Sequence, residues 1–233
     1  MTQSIESPAL ESTTRQRREI PRALWRLAGA LAIVHVVLML GGNSQEKSPF
    51  LTDSPDVVKQ TFVGADVSHV FAGGYVEAFG FIVLLPVLVF LARAIGQRTE
   101  AGRWASQTAL AAGLCYVAIS LATAIPAGAA ALYGAHHGIA NAATLAVVDN
   151  VRNFAFYVSI LALGAQAVGI GIAAVTDKAM KRWVGFGGIA IGILLFAGVA
   201  AAGYDGVNLV FIPWMVWWVG LGIGLIRRGS AEA

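Results

Sequence analysis

Charge is what this chain has least of. Only 12% of its 233 residues are Asp, Glu, Lys or Arg, against about 25% in an ordinary soluble domain. That deficit excludes the usual water-facing surface. Cysteine is nearly missing too: Cys115 stands alone, which rules out an intrachain disulfide and every cysteine-based metal cluster. No glycine-rich loop ending in Lys-Ser/Thr is present, so nucleotide-driven chemistry in this chain is not expected. There is no GxSxG elbow, no bis-histidine pattern suited to haem, no potassium-channel filter sequence, and no lysine inside an apolar run to form a retinal Schiff base. Nothing calls for a cofactor.

What the chain does have is hydrophobic residues, 57% of the total, with a mean hydropathy of +0.70. They gather in six segments at 24–42, 71–92, 107–130, 152–175, 184–203 and 207–226. At about 1.5 Å per helical residue, each can cross a hydrocarbon layer of about 30 Å. The fold expected is therefore all-α, a polytopic membrane helix bundle with six transmembrane helices. Thirteen of the sixteen basic residues lie in the N-terminal tail, the 93–106 loop, the 176–183 loop or the C-terminus, and only Lys47, Lys59 and Arg152 fall elsewhere. The positive-inside rule then puts both termini in the cytoplasm. An odd number of spans would destroy this bias. Residues 1–20 read as a flexible cytoplasmic tail, 21–228 as one transmembrane domain and 229–233 as a short C-terminal tail. The basic residues flank the spans and form no stripe with interleaved aromatics. Anionic lipid headgroups, not nucleic acid, are their expected neighbours.

Local signals refine the map. In the long loop from Asn43 to about Val70, Ser54 followed by Pro55 predicts a short surface helix, and a loop of this length can cover the mouth of the bundle. Pro126 and Gly128 predict early unwinding at the end of the third span. The polar window 138–148 reads as an interfacial helix or a shallow re-entrant piece. Gly203-Tyr204-Asp205-Gly206 forms a tight turn between the last two spans. Their glycines at four-residue spacing, Gly188 with Gly192 and Gly220 with Gly224, predict close helix packing. Trp25 is placed at the headgroup interface, and Cys115 is read as a small packing residue.

Ionisable groups at membrane depth are the candidate site residues, because a lone charge there is costly and has to face the bundle or a wet cavity. Glu77 lies well inside the second span. Arg152, at the mouth of the fourth, is its natural counter-charge, with Asn153 beside it. His35 sits at similar depth in the first span, and Asp205 lies at the same rim. Two readings of Glu77 and Arg152 stand side by side: an ion pair that locks two helices, or a substrate or proton site. His69, His136, His137 and Asp149 gather near the outer edge and are candidate metal ligands, although no HExxH or cysteine pair supports them. The polar groups favour the outer half, while the cytoplasmic half is almost wholly apolar.

The Ala-Gly-Gly-Tyr-Val-Glu-Ala-Phe-Gly stretch at 72–80, the long loop before it and Arg152-Asn153 at the fourth span resemble poorly characterised bacterial six-span membrane proteins assigned to domains of unknown function. The resemblance covers most of the chain from residue 22 onward. It implies a multi-pass protein of the bacterial cytoplasmic (plasma) membrane and transfers no activity. Two functions compete. One is a structural, regulatory or partner-binding membrane protein, acting with membrane lipids, a second copy as a homodimer, or a membrane partner protein. The other is a small proton-linked transporter or permease with an outward-facing polar site around Glu77, Arg152 and His35. An intramembrane enzyme ranks below both, since no nucleophile–base arrangement can be named.

Overall fold

The computed structural model describes residues 20–45, 49–178, 180–200 and 207–230. The N-terminal tail to residue 19, Lys47, the 203–206 turn with Asp205, and residues 231–233 lie outside them. The described residues form helices α1 (Arg22–Asn43), α2 (Pro55–Val63), α3 (Val67–Ala94), α4 (Glu100–Ile119), α5 (Ile125–His136), α6 (Ala142–Asp177), α7 (Arg182–Ala200) and α8 (Val207–Arg228). Six helical rods are long and apolar enough to cross a bilayer: α1, α3, α4 continued through α5, α6, α7 and α8. The chain is thus an all-α bundle of the polytopic membrane class.

In lipid, helices gain little from hiding apolar surface from one another, so backbone approach and dispersion hold them together. The glycines show where this happens. A Cβ added to Gly42 of α1 would lie 2.7 Å from the Gly73 carbonyl oxygen and 2.7 Å from Cβ of Glu77 on α3. On Gly29 it would overlap the Gly222 carbonyl of α8. Gly169 of α6 sits as tightly on Ala105 and Ala109 of α4, and Gly171 on Gly185 of α7. Gly188 and Gly192 turn chiefly to α6, with Trp217 of α8 also against Gly188, while Gly220 packs on Trp183 and Gly224 lies near Met180. The close seam of α7 is therefore with α6, and α6 is the most buried of the six rods.

These pairings bring one set of helix ends together. Trp25 of α1 packs edge-on against Phe90 of α3 at 5.0 Å and lies under the Arg228 guanidinium at 4.3 Å. It is buried between three helices. Arg26 Nε donates to the Gly229 carbonyl at 3.2 Å. The Arg98 amide donates to both carboxylate oxygens of Asp177, at 3.0 and 3.1 Å, and Arg98 Nη1 donates to the Asp177 carbonyl. Gly96 turns this corner at φ 75°, with its backbone against the Gly102 carbonyl, where a side chain would collide. The described basic residues of the α3–α4 and α6–α7 loops, of the start of α1 and of the end of α8 thus share one end, the basic end of the bundle.

The opposite end departs from the sequence expectations. No early unwinding follows Pro126. A π-helical turn at Ser120–Ala124 joins α4 to α5, and the Ile125 amide bonds to the Ser120 carbonyl five residues back. Proline has no N–H and its ring crowds the carbonyl four residues earlier, and one extra residue in the turn relieves both conflicts. The helix then runs on to His136. Residues 142–148 form no separate helix and no re-entrant piece. They are the first two turns of α6, whose start is capped by Asn141 Oδ1 accepting from the Thr144 amide at 2.9 Å. Gly138, at φ 64°, makes the turn between α5 and α6.

The predicted surface helix is present as α2, with Ser54 Oγ accepting from the Val57 amide. Its Val58 and Phe62 join Ala65, Ala131, Leu132, Ala135 and Leu145 in a second small core. His136 Nε2 donates to the Ala65 carbonyl at 3.1 Å and ties α5 to the α2–α3 link. Together α2, the end of α5 and the start of α6 cap the bundle opposite the basic end. Cys115 lies on the exposed face of α4 and not in the packing.

Candidate functional site

Beneath this cap lies a cavity of about 720 Å³, bounded by α1, α3, the π turn, α5, α6, α8 and the loop at 49–51. Ligand cavities usually fall within about 300–1,000 Å³. The basic half of the bundle differs. Leu84, Val87, Leu88 and Leu91 of α3 meet Ile170 and Ala173 of α6 and Leu221 and Leu225 of α8 in one packed core. A void beside Leu88 and Ile170 measures about 10 Å³, at the lower limit for a single water.

Glu77, Arg152 and Asn153 all line the cavity. Glu77 stands between Gly73 and Gly80 on the face of α3 that lies against α1, and Gly42 leaves room for its Cβ. Its side chain therefore lines the cavity from the edge of that seam. Arg152 enters from α6. Its Nε lies 3.1 Å from Asp149 Oδ1, one helical turn earlier, with the Asp149 side chain 1% and the Arg152 side chain 11% exposed. Asn153 Nδ2 donates to Asp149 Oδ2 at 3.1 Å and to the Pro49 carbonyl at 3.5 Å, fastening the covering loop to α6. Within that loop the Phe50 amide donates to Asp53 Oδ2 at 2.8 Å. Gly128 of α5 has another use than unwinding: an added Cβ would stand 3.2 Å from Cδ of Arg152. The glycine gives the arginine stem its channel.

His35 does not line the cavity. It is fully buried behind the wall, with Nδ1 donating to the Gly80 carbonyl at 2.9 Å. Phe81, Tyr116 and Trp214 surround its ring at 6.0, 6.4 and 6.2 Å between centroids. Phe81 and Tyr116 also line the cavity, so this aromatic cluster forms its floor. The Tyr116 hydroxyl donates to Met39 Sδ at 3.1 Å.

The four candidate metal ligands are not brought together. Among the described residues no group of three His, Cys, Asp or Glu side chains could hold an ion. His69 Nδ1 bonds to Asp66 Oδ2, His136 to Ala65, and His137 to the Tyr133 carbonyl, with its ring stacked on Tyr133 at 4.1 Å. Asp149 serves Arg152 and Asn153. Asp66 is the N-cap of α3, and hydrogen bonds from the Ser68 hydroxyl and then from His69 hold its carboxyl well below the usual carboxylate range.

Sequence reading missed the lining supplied by Asn43 and the part Asp149 plays beside Arg152. One signal was available. An Asn141-x-x-Thr144 start for α6 puts Asp149, Arg152 and Asn153 on one helical face at i, i+3 and i+4 spacing. Comparison with models of protein families, with curated proteins and with solved structures finds no match to this chain.

Proposed function

We propose that this chain is a solute-binding protein of the bacterial plasma membrane, built as a small permease whose cavity faces outward while both termini lie in the cytoplasm. One observation carries the reading. The cavity of about 720 Å³ brings Glu77, Arg152 and Asn153 into a common space, whereas the basic half is closed by packed side chains. A purely structural bundle gains nothing from such a volume, since cavities forfeit dispersion contact. A permease needs a site near mid-depth that is open to one side at a time. The covering loop, α2 and Asn153 sit where an outer gate would move, and the Phe81–Tyr116–Trp214 floor sits where an inner one would.

The test uses cysteine access in intact cells. In a Cys115→Ala background, Glu77→Cys and Ser159→Cys are expected to react with a membrane-impermeant maleimide added outside, and Ile170→Cys is expected to stay unreactive. Protection of Glu77→Cys, with labelling recovered only after detergent, would overturn an outward-facing site.

A further inference from the structure

Resting on that reading, we propose that the cavity selects a lipophilic organic cation, an aromatic or alkyl amine or onium compound entering through the lipid-facing side of the bundle. Three independent observations converge on this class.

The first is charge. The ionisable groups of the inner site are Glu77, Asp149 and Arg152, two carboxylates to one guanidinium. Asp149 is held against Arg152 at 3.1 Å, so carboxylates outnumber cations two to one, and with all three groups ionised the set carries one net negative charge. Asp53 in the covering loop is close enough to Asp149 for the two carboxylates to repel, and Lys59 is exposed on α2 and does not line the cavity. An anion entering here meets an unfavourable field, and a cation restores neutrality.

The second is the wall. Phe81, Tyr116, Phe156, Tyr157 and Phe211 line the cavity. Aromatic faces attract cations through the ring quadrupole, and more strongly once water is displaced. They also accept flat or greasy bodies that a small hydrated ion lacks. Metal ions are a poor match, because the described residues offer no group of three His, Cys, Asp or Glu side chains to hold one.

The third is the rim. Leu40 of α1 and Ile212 of α8 line the cavity yet keep 49% and 55% of their surface exposed, and Tyr75 of α3 keeps 74%. In a membrane bundle these outward apolar faces meet lipid. The cavity is therefore bordered by side chains that a molecule partitioned in the outer leaflet would touch first.

The experiment measures binding to full-length protein in nanodiscs of neutral phosphatidylcholine, with empty nanodiscs subtracted. The probes are tetraphenylphosphonium, its anionic analogue tetraphenylborate, and neutral triphenylphosphine oxide. Saturable binding of the phosphonium is expected, at least tenfold tighter than that of either comparison probe. Glu77→Gln should weaken it about tenfold and Glu77→Asp should largely keep it. If Glu77→Gln does not fold, the order of the three probes on the native chain decides the matter. Tighter binding of the borate or the neutral probe would overturn the cation assignment and leave the solute-binding reading standing. Failure of all three to saturate overturns the assignment as well, and if Glu77→Cys is also shielded from outside reagent, the solute-binding reading falls with it.

Discussion

At the cavity, Asp149 is held 3.1 Å from the Arg152 guanidinium. Asp149 is almost fully buried, ion-paired with Arg152 and accepting a hydrogen bond from Asn153. Removing one partner of a buried ion pair leaves the other charge uncompensated, and this costs more than replacing both with apolar groups. Asp149→Asn is therefore expected to destabilise the fold by about 2–4 kcal/mol, read as an earlier midpoint in detergent-induced unfolding. The double variant Asp149→Leu/Arg152→Leu is expected to unfold close to the native midpoint. Equal losses in both would show that packing, not charge compensation, fixes the site. Asp66 has a different kind of role. Its carboxyl is held low by donors that exist only when α3 is folded, so it favours the fold fully above the ordinary carboxylate range. That contribution fades as pH falls through the depressed folded value. Near neutral pH, hydrogen exchange at Ser68 and His69 should be slow and should not change with pH beyond the intrinsic rate, and Asp66→Ala should speed it. Unchanged exchange in that variant would remove the cap from the account.

At the level of elements, the π turn before Pro126 matters most. It adds one residue to the rod of α4 and α5, and one residue rotates everything beyond it by about 100°. That rotation aims Ala131, Leu132 and Ala135 at α2 and puts Gly128 against Arg152. Deleting Ala122 should restore a regular helix and turn this face away. The expected result is release of the cap, seen as faster proteolysis within 49–66, while the basic half keeps its thermal stability. Unchanged protease resistance would mean the turn has no part in holding the cap. The same element shows how far the sequence could be read. Proline was visible and signalled trouble, but whether a helix stops, kinks or widens depends on what its far side packs against. Here α2 and α6 hold α5 in place, so the chain widens its turn and continues.

For the whole molecule, the expected arrangement places the basic end in the cytoplasm and the cavity outside. Reporter fusions settle the orientation. An alkaline phosphatase joined after residue 60 should be active, and one joined after residue 230 or residue 98 inactive, with green fluorescent protein giving the reverse. Activity at residue 98 would invert the bundle and turn the cavity inward.

Composition alone determined that this chain belongs in a bilayer. With so few charges and six apolar runs long enough to cross, no other solvent would accept it, and the runs are local in sequence, so their number and approximate bounds could be read directly. The depth of Glu77 and the oddity of Arg152 were legible for the same reason: a charge inside an apolar run is conspicuous. What only the tertiary structure decided was company. Asp149, which polarity had placed in a separate rim cluster, pairs with Arg152 one helical turn away. His35 stands behind the cavity wall because the Gly80 carbonyl and three aromatic rings reach it first. Gly188 and Gly192 close on α6 although α8 follows in the chain. Spacing along a helix tells which residues share a face. Which neighbour that face meets depends on the packing of all the rods at once, and no single segment carries that information.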